Sequence, residues 1–153
     1  MTEQTAPDTL LQRVIVPLAS ESDAQKTCQS LLPRIEDSHG EVIFLHVIEK
    51  GGGAPDKASV EQMETRAEVL FDKAEAAASA RGIPAERRLV YGTDVVETIL
   101  EAAQNESASS VAFTPRAGNR LVRWLSGDTA LRLVTESSIP VIVFPESAEE
   151  PDS

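Results

Sequence analysis

Short runs of β-branched apolar residues alternate along this chain with longer segments in which apolar residues recur every three or four positions. Arg13–Leu18 (RVIVPL) and Glu41–Ile48 (EVIFLHVI) are apolar on both side-chain phases, the pattern of strands covered on both faces. Between them, Ser22–Ser38 carries Ala24, Cys28, Leu31, Leu32 and Ile35 at helical spacing. Ser22 and Asp23 are candidate caps, Gly40 follows the end, and Pro33 inside predicts a kink. GGGAPDK, residues 51–57, reads as a loop, and Ser59–Arg81 as the longest helix, with Val60, Met63, Ala67, Leu70, Phe71, Ala74, Ala77 and Ala78 on one face and Gly82 stopping it. A strand over Glu86–Tyr91 and a turn at Gly92-Thr93-Asp94 that caps a helix from Val95 to about Glu106 follow. A strand over Ser110–Thr114, a helix over Asp128–Ser137 and a last strand over Val141–Phe144, between Pro140 and Pro145, complete the series.

Five strands alternating with four helices predict an α/β fold, a doubly wound parallel sheet with helices on both faces, because parallel neighbours need crossover connections. The 153 residues suit one domain, expected over 12–145, with polar acidic tails at 1–11 and 146–153. A chain of this length buries enough surface to need no disulfide or metal. The single cysteine, Cys28, has no internal disulfide partner and no neighbouring set of metal ligands, so a buried, inert thiol is expected.

Charge narrows the partners. With 25 Asp and Glu against 14 Lys and Arg, the formal net charge is -11, a field that repels nucleic acid and anionic membrane surfaces. No apolar run is long enough to span a bilayer and no signal segment opens the chain, so a cytoplasmic protein without membrane insertion is expected. Only four of the fourteen cationic residues are lysines, an acidic, lysine-poor composition that suits a salty cytoplasm, where screening relieves self-repulsion.

In open α/β sheets ligands sit beyond the carboxyl ends of the strands, where strand order reverses. That rule selects Pro17-Leu18-Ala19-Ser20, Val47-Ile48-Glu49, Gly92-Thr93-Asp94 and the segment from Thr114 to Asp128. Within the last lie Arg116, Arg120 and Arg123, with Arg132 just beyond, a cationic island opposed locally only by Asp128. One reading is an anion site built from guanidinium forks; the other is a set of solvated or ion-paired arginines. Trp124, with Leu121 and Leu125, reads as packing or interface.

His46 lies within an apolar strand and reads as a hydrogen-bonded core residue, while His39 falls in a turn. Asp94, Glu97 and Glu101 share a helix face that could suit a cation or simply be solvated. Ser20, Ser22 and Ser126 lack a nucleophile elbow, so no catalytic machinery is expected. The apolar last strand Val141-Ile142-Val143-Phe144 needs a partner for its edge, and an antiparallel match with a second copy would provide one.

In order and spacing, VIVPLASES, FLHVIE, YGTDVVETILEAAQNESASSVAF and SGDTALRLVTESSIPVIVF resemble the universal stress protein family over nearly all of residues 12–145. The resemblance implies an adenine-nucleotide alpha-hydrolase-like fold with strand order 3-2-1-4-5, and homodimers through the last strand. It also implies a possible ATP site at Pro17, Leu18, Ala19, Val47, Thr114, Arg116, Ala117, Gly127, Asp128 and Thr129. The family's phosphate-loop pattern, Gly-x-x-Gly, nine residues, then Gly and Ser or Thr, falls on Thr114, Ala117, Gly127 and Asp128, of which Gly127 alone matches. Thr114 and Ala117 add Cβ atoms where backbone N–H groups must approach phosphate, and Asp128 sets a carboxylate there. The acidic residue that ATP-binding relatives carry after the first strand is Ala19 here. The expectation is a stress-response module acting through a regulatory protein partner, without tight ATP binding and with no other cofactor; the alternative is an adenine-nucleotide sensor in which Arg116 compensates for the lost glycines.

Overall fold

The structure, a computed structural model, describes residues 9–50, 57–115 and 127–145. Along the chain run β1 (Arg13–Pro17), α1 (Glu21–Ser38), β2 (Glu41–Glu49), α2 (Lys57–Ser79), β3 (Ala85–Gly92), α3 (Val95–Asn105), β4 (Ser110–Phe113), α4 (Gly127–Glu136) and β5 (Val141–Val143). The strands form one sheet in the order β3-β2-β1-β4-β5, every described pairing parallel. The expected order and the expected placing of helices on both faces are therefore met.

Strand alternation sorts the apolar residues into two cores. Val14, Val16, Val42, Phe44 and Ala112 point to the side covered by α1 and α2, where Leu31, Leu32, Ile35 and Phe71 meet them. Ile15, Ile43, Leu45, Val47, Val111 and Phe113 point to the other side, beneath Val95, Ile99 and Ala103 of α3 and Leu133 of α4. Burial on both faces is why β1, β2 and β4 read as continuous apolar runs.

Three helices close with the same hydrogen-bond pair, in which one residue adopts a left-handed conformation and the residue after it reaches back five positions. At α2 this is Gly82 (φ 71°), with Gly82 N–H bonded to Ser79 O and Ile83 N–H to Ala78 O, both 3.0 Å. At α1 the left-handed residue is His39 (φ 60°), and at α3 it is Ser107 (φ 54°). Gly40 serves another purpose: a Cβ there would lie 1.9 Å from the Leu11 carbonyl oxygen.

Several expectations shift. Ser20 caps α1, its side chain accepting the Asp23 N–H at 3.2 Å, so Ser22 and Asp23 fall inside the helix. Pro33 lies inside this continuous helix, as its sequence position predicts. Of the residues expected in the first tail, Leu11 packs against the α1–α2 core and the Leu10 carbonyl accepts the Ser110 hydroxyl at 2.7 Å. Apolar content at Leu10-Leu11, hidden in a polar stretch, is the physical reason. β5 ends one residue early, although Phe144 N–H still bonds Phe113 O at 3.0 Å.

Charged groups knit the far end of the sheet. Arg13 bonds Glu41 (2.6 Å) and Glu106 (3.0 Å), while Arg88 bonds the other Glu106 oxygen (2.7 Å) and Glu86. On β3, Arg87 reaches Glu68, Asp72 and Glu75 of α2 and lies over the Phe71 ring. No helix among the described residues is long and apolar enough to cross a membrane.

Candidate functional site

Strand order reverses at β1, which has β2 on one side and β4 on the other, so the crevice to inspect lies beyond the carboxyl ends of β1 and β4. Pro17 and Leu18 are buried there. The Leu18 N–H extends the ladder to Leu45 O at 2.8 Å, and its carbonyl accepts the His46 Nδ1 proton at 2.6 Å. His46 thus pins the β1–α1 connection to β2, and burial holds its pKa below the ordinary imidazole value, the bond to Leu18 opposing in part. This is the hydrogen-bonded core role read from the sequence.

Ala19 is half-buried and packs against the α3–α4 core; Val47, 2% exposed, belongs to that cluster. Thr114, at the end of β4, is 2% exposed and turned into α1, where its Oγ1 and that of Thr27 share a hydrogen bond of 2.8 Å. The residue that the resemblance sets against the first phosphate-loop glycine is therefore a buried hydroxyl committed to a helix. Thr27 escaped the sequence reading, though it falls on the apolar stripe of α1 between Ala24 and Leu31, a polar residue at a core position. Asp23, 3% exposed, lies one turn earlier on that stripe.

Among the described residues, the charges at the helix N-termini of this rim run against a polyanion. Helix N-termini at the carboxyl ends of strands are ordinarily attractive to phosphate. Here α1 carries Glu21 and Asp23 in its first turn, α3 carries Asp94 and Glu97, and α4 carries an exposed Asp128 beside half-buried Thr129. Asp94 caps α3 by accepting the Glu97 N–H at 3.2 Å, and that bond, followed by Arg132, holds its carboxyl below the usual range.

Arg132 is the one member of the cationic island among the described residues, and it is ion-paired to Asp94 (3.2 Å) and Glu136 (2.9 Å). For it the ion-paired reading holds. Asp94 is thereby engaged as a cap and a salt-bridge partner rather than grouped with Glu97 and Glu101 around a cation. Arg116, Ala117, Arg120, Leu121, Arg123, Trp124, Leu125 and Ser126 lie outside the described residues, as do the tails at 1–8 and 146–153. Of the last-strand residues, Val143 is 43% exposed, Val141 and Ile142 are half-buried, and Phe144 is buried in the α1–α2 core with Arg34 over its ring. Cys28 is buried, which pushes its thiol up to about 11. His39 serves as the left-handed terminator of α1. A groove of about 470 Å³ between α1 and α2, floored by Ala24, Cys28, Leu32, Ala74 and Ala77, lies apart from this crevice.

Solved structures with this fold are plentiful. A universal stress protein family member from Burkholderia pseudomallei superposes with a TM-score of 0.73 at 22% identity, covering 92% of this chain and 100% of its own. A universal stress protein in complex with cAMP gives 0.66 at 17% identity, covering 89% of this chain and 98% of its own. One from Archaeoglobus fulgidus in complex with dAMP gives 0.65 at 17%, covering 86% and 96%. No curated protein matches the sequence. The profile of the universal stress protein family matches residues 11–145, nearly the whole folded region, and the chain belongs to that family.

Proposed function

We propose that this chain is a cytoplasmic, regulatory stress-response protein that works as a homodimer joined through its last strand, signals through a protein partner, and does not hold ATP tightly. The observation that carries the reading is the Thr27–Thr114 hydrogen bond, which commits the first phosphate-loop position to the protein interior. Carboxylates at the N-termini of α1, α3 and α4 support it, because each offsets a helix-terminal charge that a triphosphate would use. The two sheet edges support the dimer. β3 carries Glu86, Arg87 and Arg88, charges that discourage strand addition, whereas β5 presents an exposed Val143. The net charge of -11 speaks against nucleic acid as the partner. No catalytic step enters the reading: Ser20 is a helix cap, Cys28 is buried, and His46 is bonded to the backbone. The acidic, lysine-poor surface is read as salt adaptation.

A second reading, an adenine-nucleotide sensor, is favoured by the relatives in complex with cAMP and dAMP, ligands with a single phosphate that ask less of a glycine loop. In it Arg116 supplies the anion contact.

Calorimetric titration at high salt with magnesium separates the two, using ATP and cAMP against the native chain and an Asp128→Ser/Ala117→Gly variant. The first reading expects no heat from the native chain and binding in the variant. Micromolar binding of either nucleotide by the native chain would establish the second.

A further inference from the structure

The trench between α1 and α2 lies outside the crevice and encloses about 470 Å³, the size of a small-molecule site. Its floor is built mostly from small apolar side chains at helical spacing. Ala24, Cys28 and Leu32 recur every four residues on α1, and Ala74 and Ala77 oppose them on α2. From Ala24 to Leu32 the floor runs eight residues, about 12 Å of helix. Two ion pairs mark its ends. Lys73 reaches Glu21 (2.7 Å), three residues before Ala24, and Arg81 reaches Glu36 (2.9 Å), four residues beyond Leu32.

The two ends differ in charge. At the Ala24 end both partners line the trench, so Lys73 brings a carboxylate with it. At the Leu32 end Arg81 lines it and Glu36 does not. Arg81 donates to Glu36 through Nη1, and among the described residues the Nε–Nη2 edge of its fork is left for a second carboxylate. The side chains of that pair are 43% and 48% exposed, where such a contact contributes little and shifts readily. Lys73 and Arg81 against Glu21 give the trench a positive excess on a chain of net charge -11.

We propose that this trench binds a medium-chain alkyl carboxylate, its head on the open edge of Arg81 and its tail along the floor towards Ala24. An extended hydrocarbon zigzag of about 1.5 Å bonds at about 111° advances about 1.25 Å per carbon, so about 12 Å of floor holds about ten carbons. The Glu21–Lys73 pair closes the far end and sets that limit. One side of the tail stays against water, so each added methylene strengthens binding about twofold rather than the roughly fourfold of complete burial. A larger residue at half-buried Ala77 would close the trench; alanine there leaves an apolar channel for a ligand to cover. Neither the nucleotide crevice nor the last strand enters this site.

The test is calorimetric titration of the full chain with straight-chain carboxylates from hexanoate to dodecanoate, each kept below its micelle concentration. Affinity is expected to rise about twofold per carbon up to decanoate and to level off at dodecanoate. Arg81→Gln should weaken octanoate about fivefold and leave 1-octanol unchanged. Ala77→Leu should weaken decanoate about tenfold, the loss of three or four covered methylenes. Arg81 is exposed, so its variant carries the test should Ala77→Leu fail to fold. A native chain that binds none of the series overturns the proposal, as does decanoate binding indifferent to both substitutions. If the native chain takes up no carboxylate and Ala77→Leu lowers its sedimentation rate, the occupant is a second copy, which also overturns it.

Discussion

Thr27 on α1 and Thr114 at the end of β4, 87 residues apart in sequence, share one hydrogen bond of 2.8 Å, and each is 2% exposed. Neither hydroxyl can turn to water if the other is lost. Thr27→Val alone should therefore cost about 1–3 kcal/mol, the penalty of a buried group left unmade, while Thr27→Val/Thr114→Val should recover much of it. Urea denaturation of the two single variants and the double variant gives the coupling; strictly additive losses would show that the pair acts independently.

Helix ends offer a stabilising change. An L-residue in the left-handed region costs about 1–2 kcal/mol. Glycine returns about 0.5–1 kcal/mol of that through its looser unfolded state. His39→Gly and Ser107→Gly should each raise stability by a few tenths to about 1 kcal/mol. Gly40→Ala should do the reverse, by about 1–3 kcal/mol, because its Cβ would meet backbone at Leu11 rather than a movable side chain. Thermal midpoints of the three variants check both signs.

Acid should unfold the protein in two stages. The folded-state pKa of His46 is lowered by burial, so the unfolded chain binds that proton more readily, and stability falls as pH drops below about 6.5. Asp94 and Glu106 also have lowered pKa values, the first held chiefly by the Glu97 N–H and the second by Arg88. Their contribution is present above about pH 4 and is lost as pH falls through their folded values. His46→Gln should flatten the upper stage and Glu106→Gln the lower one in stability measured from pH 7 to 2. An unchanged curve in either variant assigns that stage to other groups.

Salt should stabilise the chain. Screening weakens the exposed pairs such as Lys73–Glu21, worth at most about 1 kcal/mol each, but also relieves the repulsion of a net charge of -11. The unfolding midpoint is expected to rise between 0.1 and about 1 M sodium chloride; a flat or falling midpoint would remove the salt-adaptation reading.

Cys28 should resist thiol reagents. With the thiol pushed up to about 11, little thiolate exists near neutral pH, and the side chain is 8% exposed. Labelling at the rate of a free thiol would mean that α1 and α2 part readily at Ala24, Cys28 and Ala74.

What the sequence disclosed was whatever a single residue type announces by itself. Runs such as EVIFLHVI disclose a strand buried on both faces, and Asp94 after Gly92-Thr93 discloses a cap, since Asp at that position has one dominant use. Ser20, Ser22 and Asp23 are chemically equivalent as caps, and only the path of β1 into α1 selects Ser20. His39 was hidden for a similar reason. Gly40 beside it is the better left-handed residue by propensity, but its bare Cα is already required by the Leu11 carbonyl, a contact 29 residues away in sequence. The crevice was located by strand order, yet its character depends on where Thr114 points. Thr27, the residue that decides this, carried no motif, only a hydroxyl on an apolar stripe.

The unlike edges of the sheet set a limit on growth. β3 offers eight residues studded with Glu86, Arg87 and Arg88, all drawn into ion pairs on their own chain, while β5 offers three residues and a bare valine. On the proposed pairing through β5, such a sheet has a valence of one: once β5 is used, no second joining edge is left among the described strands to extend a ribbon. An assembly made that way would stop at two copies at any concentration, a built-in safeguard against fibres.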